Sequence, residues 1–199
     1  CNEYIPEGSH DMGWLGYFIG KNDHLKKLVI EPFTPPSGAS VRDVMEHFFR
    51  GVSSNKSIRE IYLYETDLLR GEVFTMLGPF FQNNYNLTSI NVTNCDFGDE
   101  RGRLFALALG KCIHKSLRKV ELEDNNIAEE GMVGIITALS MHPNLEHLDL
   151  DGNRLHKNGC VALATLLRCS ATELQHLYIS RNEINDEGLE VLLPALKNY

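Results

Sequence analysis

Positive charge is scarce in this 199-residue chain, which has 19 lysine and arginine residues, 27 aspartate and glutamate residues and a formal net charge of −8. Proteins bind nucleic acids largely through lysine and arginine contacts to phosphates, so this balance argues against DNA or RNA as the main partner. Long apolar runs are also missing, although a membrane-spanning helix needs roughly 18 consecutive apolar residues. We therefore expect a partner that is neither a nucleic acid nor a membrane.

The chain also lacks the short motifs of common catalytic sites. It has no glycine-rich phosphate loop, no HExxH pair of metal ligands and no GxSxG turn around a nucleophilic serine. Its carboxylates are abundant, but the repeat pattern described below places them on an open surface rather than in a cleft that could shift their pKa values. The sequence therefore predicts a protein without catalytic activity or a cofactor.

Cysteine is infrequent, and no CxxC pair occurs among its five residues, which are Cys1, Cys95, Cys112, Cys160 and Cys169. An odd number without such pairs favours reduced structural thiols in an intracellular protein. The first 20 residues contain no segment that looks like a secretory signal. We therefore expect a cytoplasmic location.

Three Asn-x-Ser/Thr triplets, at Asn55, Asn86 and Asn91, would be glycosylated only in a secreted protein. Asn91 lies on a predicted strand and Asn86 just before one, which favours coincidence. A secreted fragment is the alternative.

An internal repeat is the most informative feature that is present. Three segments align almost residue for residue: LRKVELEDNNIAEEG from Leu117, LEHLDLDGNRLHKNG from Leu145 and LQHLYISRNEINDEG from Leu174. Each has leucine-class residues at positions 1, 4, 6 and 11, Asn at position 9 and Gly at position 15. The register extends backwards at intervals of 28 to 33 residues, which gives these first positions: Leu25, Ile58, Leu87, Leu117, Leu145 and Leu174.

Each repeat contains two different periodicities. The aliphatic pair at positions 4 and 6 predicts one short strand, and the apolar residues at three- and four-residue spacing after position 11 predict a helix. Position 9 changes from Asn in the last three repeats to Cys95, Thr66 and Phe33 in the earlier ones, and position 11 is Pro35 in the first. The pattern therefore weakens towards the N-terminus.

These repeats resemble leucine-rich repeats of the ribonuclease-inhibitor-like subclass, closely over residues 57–199 and loosely over residues 1–56. The resemblance implies an α/β solenoid, or horseshoe, with about six parallel strands on its concave face and helices on its convex face. We expect one domain over residues 1–199, in which residues 1–24 end a preceding degenerate repeat. Because a solenoid without polar caps exposes apolar ends, we expect a portion of a longer protein or end-to-end association with another copy.

One insertion, EPFTPPSGAS over residues 31–40, lengthens the first repeat, and its prolines exclude a regular helix there. A longer strand-to-helix loop is the simpler interpretation, and a loop that contacts a partner is the alternative.

Function has to be sought at positions 3, 5, 7 and 8, whose side chains face away from the helices on the concave face or just beyond it. Eight of these 24 residues are acidic and three are basic, and the acids concentrate in the fourth and fifth repeats. Such a surface predicts the docking of a basic protein segment, with tyrosines as rigid anchors. The candidate partner-binding residues are Tyr62, Tyr64, Glu121, Glu123, Asp124, Asp149, Asp151, Tyr178, His147 and His176.

Other functions stay open. His147 and His176 share position 3 of neighbouring strands, so with Asp149 and Glu121 they could bind zinc, although chance juxtaposition is the simpler interpretation and we assign no metal. The resemblance also extends to leucine-rich-repeat activators of the small GTPase Ran, but no activating residue of that family can be matched here. A purely structural scaffold is the third possibility.

Overall fold

The computed structural model describes residues 11–31, 41–64, 73–169 and 173–199. Within these ranges, helices and strands alternate along the chain. The helices are α1 (Asp11–Lys21), α2 (Val41–Val52), α3 (Val73–Asn83), α4 (Gly98–Leu109), α5 (Glu129–Leu139), α6 (His156–Arg168) and α7 (Asp186–Asn198). The strands are β1 (Lys27–Ile30), β2 (Glu60–Tyr64), β3 (Ser89–Thr93), β4 (Lys119–Glu121), β5 (His147–Asp149) and β6 (His176–Tyr178).

All six strands form one parallel sheet in the order of the sequence, β1 to β6. Equivalent positions of successive repeats pair directly, so Lys119 lies beside His147 and His147 beside His176. A helix follows each strand and packs against the helices of the neighbouring repeats. The predicted solenoid of six parallel strands and helices is therefore confirmed.

The core lies between the sheet and the helix layer. In β1, β2, β4 and β5 every second residue is buried and alternates with a more exposed one, as the two-residue period of a strand dictates. Phenylalanine fills the core of the earlier repeats, where the leucine pattern is weak: Phe48, Phe49, Phe80, Phe81, Phe97 and Phe105 are almost completely buried. Each contributes roughly 1.5–3 kcal/mol of hydrophobic stabilisation.

A ladder of buried side chains connects the turns that follow the strands. Asn153 at position 9 donates from Nδ2 to the carbonyls of Leu122 (2.8 Å) and Leu150 (2.9 Å), and its Oδ1 accepts from the amide of Ile127 (3.0 Å). Asn125 and Asn182 make the equivalent bonds to the carbonyls one strand back. Cys95 occupies the same position, and its Sγ lies 3.4 Å from the carbonyl oxygen of Leu63.

The described cysteines are free thiols, of which Cys95, Cys112 and Cys160 are buried and Cys169 is partly exposed. Burial raises the pKa of the Cys112 thiol to about 11, so this group stays protonated at neutral pH. Cys1 and residues 32–40 of the proline-rich insertion lie outside the described residues, as do Glu65 and Thr66. None of the described helices is both long and apolar enough to cross a bilayer.

Candidate interaction surface on the concave face

Five carboxylates form an acidic patch at the ends of β4 and β5: Glu121, Glu123, Asp124, Asp149 and Asp151. Glu121 and Asp149 lie side by side in the sheet register, and the other three lie in the turns that follow the two strands. In these turns position 8 has positive φ angles, 53° at Asp124 and 64° at Gly152. This left-handed residue turns the chain away from the strand direction, so the carboxylates gather at one rim of the face.

Glu121 is held by neighbouring side chains at the centre of the patch. Its Oε2 accepts from Nδ2 of Asn91 at 2.7 Å, and its Oε1 lies 2.9 Å from Nζ of Lys119. Asn91 in turn accepts from Oγ1 of Thr93 at 3.0 Å, which fixes the orientation of the amide. The hydrogen bond to Glu121 raises the pKa of Lys119, so the ammonium group of Lys119 is charged at neutral pH.

Arg181 neutralises part of the patch from two repeats away. Its guanidinium lies 3.3 Å from Oε1 of Glu123 and 3.2 Å from Oδ1 of Asp124. Even so, burial and the neighbouring carboxylates Asp149 and Asp124 raise the pKa of Glu123. The excess of acidic charge expected on this face is therefore partly offset, because three of the five carboxylates have a cationic partner on the same face.

Asp149 and Asp151 make no salt bridge with any described residue. Each instead accepts a backbone hydrogen bond, Asp149 from the amide of Asp151 (2.9 Å) and Asp151 from the amide of Ser180 (2.6 Å). Burial raises the pKa of Asp149, and the charges of Asp151 and Glu121 raise it further. Asp149 and Asp151 are the two carboxylates of the patch that have no lysine or arginine partner among the described residues.

Two histidines and a tyrosine form the side of the patch towards the C-terminal repeat. The ring of His147 lies 5.6 Å from that of His176 and 5.3 Å from that of Tyr178, between centroids. Nε2 of His147 is buried without a hydrogen-bond partner, 3.7 Å from Oε1 of Glu121. Burial, with the charge of Lys119, lowers the pKa of His147, so its imidazole is neutral at pH 7.

Tyr62 and Tyr64 flank the patch on the other side, with ring centroids 5.9 Å apart. Tyr62 pairs with Asn91, which pairs with Glu121, so Tyr62 and Glu121 are two strands apart, or about 9.6 Å at the usual strand spacing. Nζ of Lys27 lies 4.0 Å from the centroid of the Tyr62 ring, in a cation–π contact. The ten predicted partner-binding residues therefore lie on strands β2, β4, β5 and β6 and in the adjoining turns.

Sequence reasoning missed a recurring set of buried polar residues, which lie three residues before the first repeat position. Asn55 is completely buried there and donates from Nδ2 to the carbonyls of Ile19 and Asn22, both at 2.7 Å. Asn84 and His142 are buried at the same position of later repeats. The recurrence of Asn or His before these strands was the available signal. These buried residues have a structural role, and the burial of Asn55 also places its Asn-x-Ser triplet inside the fold.

A groove on the helix side of the protein lies between α5 and α6. That groove has a volume of about 640 Å³ and is lined mainly by small and apolar residues such as Val133, Val161 and Ala162. Glu130 is its one acidic or basic lining residue, so the groove contains no pair for acid–base catalysis among the described residues.

A protein-family model described as "Leucine Rich repeat" matches residues 83–101, 114–135, 142–164 and 171–193. Comparison with curated protein sequences gives no significant match. Among solved structures, the tropomodulin C-terminal domain of Caenorhabditis elegans is similar, with a TM-score of 0.54 and 12% identity over 94% of this chain and 92% of that one. An internalin from Listeria monocytogenes aligns with a TM-score of 0.38 and 15% identity over 71% of this chain and 47% of that one.

Proposed function

Because this chain is a leucine-rich repeat protein, we propose that it is a non-enzymatic interaction module whose concave face binds a basic segment of a partner protein. Repeat proteins of this type present an extended sheet surface on which each strand contributes side chains at a fixed spacing. A partner in an extended conformation can therefore contact several repeats at once.

One observation supports the proposal above the others: Asp149 and Asp151 lie side by side without a cationic partner among the described residues. Burial is the main cause of the raised pKa of Asp149, and the nearby charge of Asp151 raises it further, so the ionised Asp149 carboxylate is less well stabilised here than in water. A lysine or arginine of the partner would remove this repulsion, and desolvation on binding would strengthen the attraction.

The tyrosines supply the apolar part of the same surface. Tyr178 is 45% exposed, so its ring can be buried by a partner. Burial raises the pKa values of Tyr62 and Tyr64, so both are neutral phenols at physiological pH. Aromatic side chains of this kind are enriched among residues that dominate binding energy at interfaces.

A selection of random peptides displayed on phage tests the proposal even though the partner is unidentified. We expect the selected peptides to be enriched in lysine and arginine and to bind more weakly as salt concentration rises. The variant Asp149→Asn/Asp151→Asn keeps an oxygen acceptor at each position and removes two charges, so it should weaken binding at least about tenfold. The variant Glu173→Gln/Glu190→Gln removes the same charge from other exposed sites and serves as the control.

Two results would count against a docking face. Selected peptides without basic enrichment would refute the electrostatic part, and equal binding by the two double variants would refute the location. Acceleration of GTP hydrolysis by substoichiometric protein, measured on a panel of small GTPases, would instead favour the regulator of catalysis.

A further inference from the structure

We propose that Glu121, His147 and Asp149 form a binding site for a divalent transition metal of the Zn²⁺ class on the concave face. The site shares Asp149 with the proposed docking face, but its test requires only the ion and the protein alone. It rests on how the three side chains meet and on what holds them.

The first support is geometric. One ligand atom from each of the three side chains lies within 4.8 Å of the others. Zinc binds nitrogen and oxygen at about 2.0–2.1 Å, so two ligands of a tetrahedral site are about 3.3 Å apart. Nε2 of His147 and Oε1 of Glu121 are already 3.7 Å apart. A small closure of the side chains would therefore complete three of the four coordination positions.

The second support is the state of the histidine. Nε2 of His147 is buried and has no hydrogen-bond partner, although it points towards a carboxylate. An orphaned polar atom at a buried position costs free energy, and a metal ion would satisfy it.

The third support is the shell around the carboxylates. Asn91 donates to Oε2 of Glu121, and the backbone amide of Asp151 donates to Oδ1 of Asp149. Such outer hydrogen bonds orient ligating carboxylates in metal sites. Lys119 is the competitor, because its ammonium group lies 2.9 Å from Oε1 of Glu121 and would have to move away.

The donor set also favours one class of ion. One imidazole with two carboxylates suits Zn²⁺, whereas Mg²⁺ prefers oxygen ligands and water. His176 is the candidate for a fourth ligand, since its ring centroid lies 5.6 Å from that of His147. Otherwise water would complete the tetrahedron.

Isothermal titration calorimetry of the purified chain with Zn²⁺, and in parallel with Mg²⁺, tests the site. We expect one equivalent of Zn²⁺ to bind and Mg²⁺ to bind at least tenfold more weakly. His147→Gln and, separately, Asp149→Asn should each weaken Zn²⁺ binding at least tenfold. His24→Gln should leave it unchanged, because His24 also lies beside a carboxylate, Asp23, but is highly exposed elsewhere.

Titration with Co²⁺ adds a second readout, since a tetrahedral site that includes a histidine gives visible absorption bands. His176→Gln should weaken these bands if His176 is the fourth ligand and leave them intact if water is. The proposal is overturned if the wild-type chain binds no Zn²⁺, if Mg²⁺ binds equally well, or if both ligand variants fold and bind Zn²⁺ like the wild type. Far-ultraviolet circular dichroism establishes which variants are folded.

Discussion

Replacement of Asn153 by alanine should destabilise the protein far more than loss of one surface asparagine. The side chain is 2% exposed and connects neighbouring strand ends, donating to Leu122, Leu150 and Asp151 and accepting from Ile127. Alanine removes these bonds and leaves buried backbone groups without partners.

The size of the effect follows from those contacts. The Asn153 amide shares its two N–H hydrogens among three acceptors, so it counts as two donated bonds at about 1 kcal/mol each. Together with the unpaired amide of Ile127 at about 1–3 kcal/mol, these give a loss of roughly 3–5 kcal/mol. This is a large part of the roughly 5–15 kcal/mol that stabilises a typical domain. Urea unfolding followed by circular dichroism at pH 7 measures the difference.

Two further variants make the test specific. Cys95 already occupies the equivalent position, with Sγ close to the carbonyls of Leu63 and Thr93. Asn153→Cys keeps one weak donor, so it should recover about 1–2 kcal/mol relative to Asn153→Ala. Asn144→Ala is the control, since Asn144 also donates across repeats, to Lys115, but from an exposed position, and should cost less than about 1 kcal/mol.

The reasoning would be refuted if Asn153→Ala lost no more stability than Asn144→Ala. It would also fail if cysteine were no better than alanine at position 153. Either result would mean that water or a backbone shift satisfies the buried groups at little cost.

Two further predictions concern the stability of the protein: glycine-to-alanine substitutions at two positions, and the pH dependence that His142 causes. Gly51→Ala should destabilise the protein by more than about 2 kcal/mol, because the added Cβ would meet the backbone of Gly16 and Tyr17 in α1. Gly110→Ala should instead stabilise it by about 0.5–1 kcal/mol, because Gly110 has a right-handed φ of −60° and its Cβ would make only ordinary contacts. Equal urea midpoints for the two variants would contradict this prediction. Burial lowers the pKa of His142, so the folded state binds fewer protons than the unfolded state and loses stability as pH falls through the unfolded value of about 6.5. His142→Asn introduces the residue that occupies the equivalent position 84, and it should make the urea midpoint less sensitive to pH between about 7.5 and 5. An unchanged dependence of the midpoint on pH would argue against assigning it to His142.

The scaffold could be predicted from the sequence because its rules are local. A strand has a two-residue period, so the alternation of inward and outward side chains follows from the repeat register alone. The register also predicts that His147 lies beside His176 and Glu121 beside Asp149, as the strand pairing shows. Phenylalanine in the core of the weaker repeats did not follow, since packing can replace leucine by any side chain that fills the volume.

The electrostatics of the face could not be predicted in the same way. Arg181 is one of three basic residues at the outward positions, but its pairing with Glu123 and Asp124 depends on how the turns after β4 and β6 approach each other. The burial of Nε2 of His147 depends equally on side-chain conformations that no repeat position encodes. The sequence therefore predicts the strand and face on which each side chain lies, and the structure is needed to show which charged groups already have a partner.

On the proposed docking face, the contacts of Arg181 would make partner binding an exchange of one cation for another. The residue belongs to the sixth repeat and reaches back 58 positions to Glu123 in the fourth, over the turn of the fifth. A partner cation that reaches Glu123 or Asp124 has to displace this guanidinium, so its net gain there is only the difference between two surface ion pairs, each worth about 0–1 kcal/mol. On the proposed docking face, Arg181 therefore acts as a weak internal competitor for Glu123 and Asp124, and discrimination between partners would depend mainly on Asp149 and Asp151.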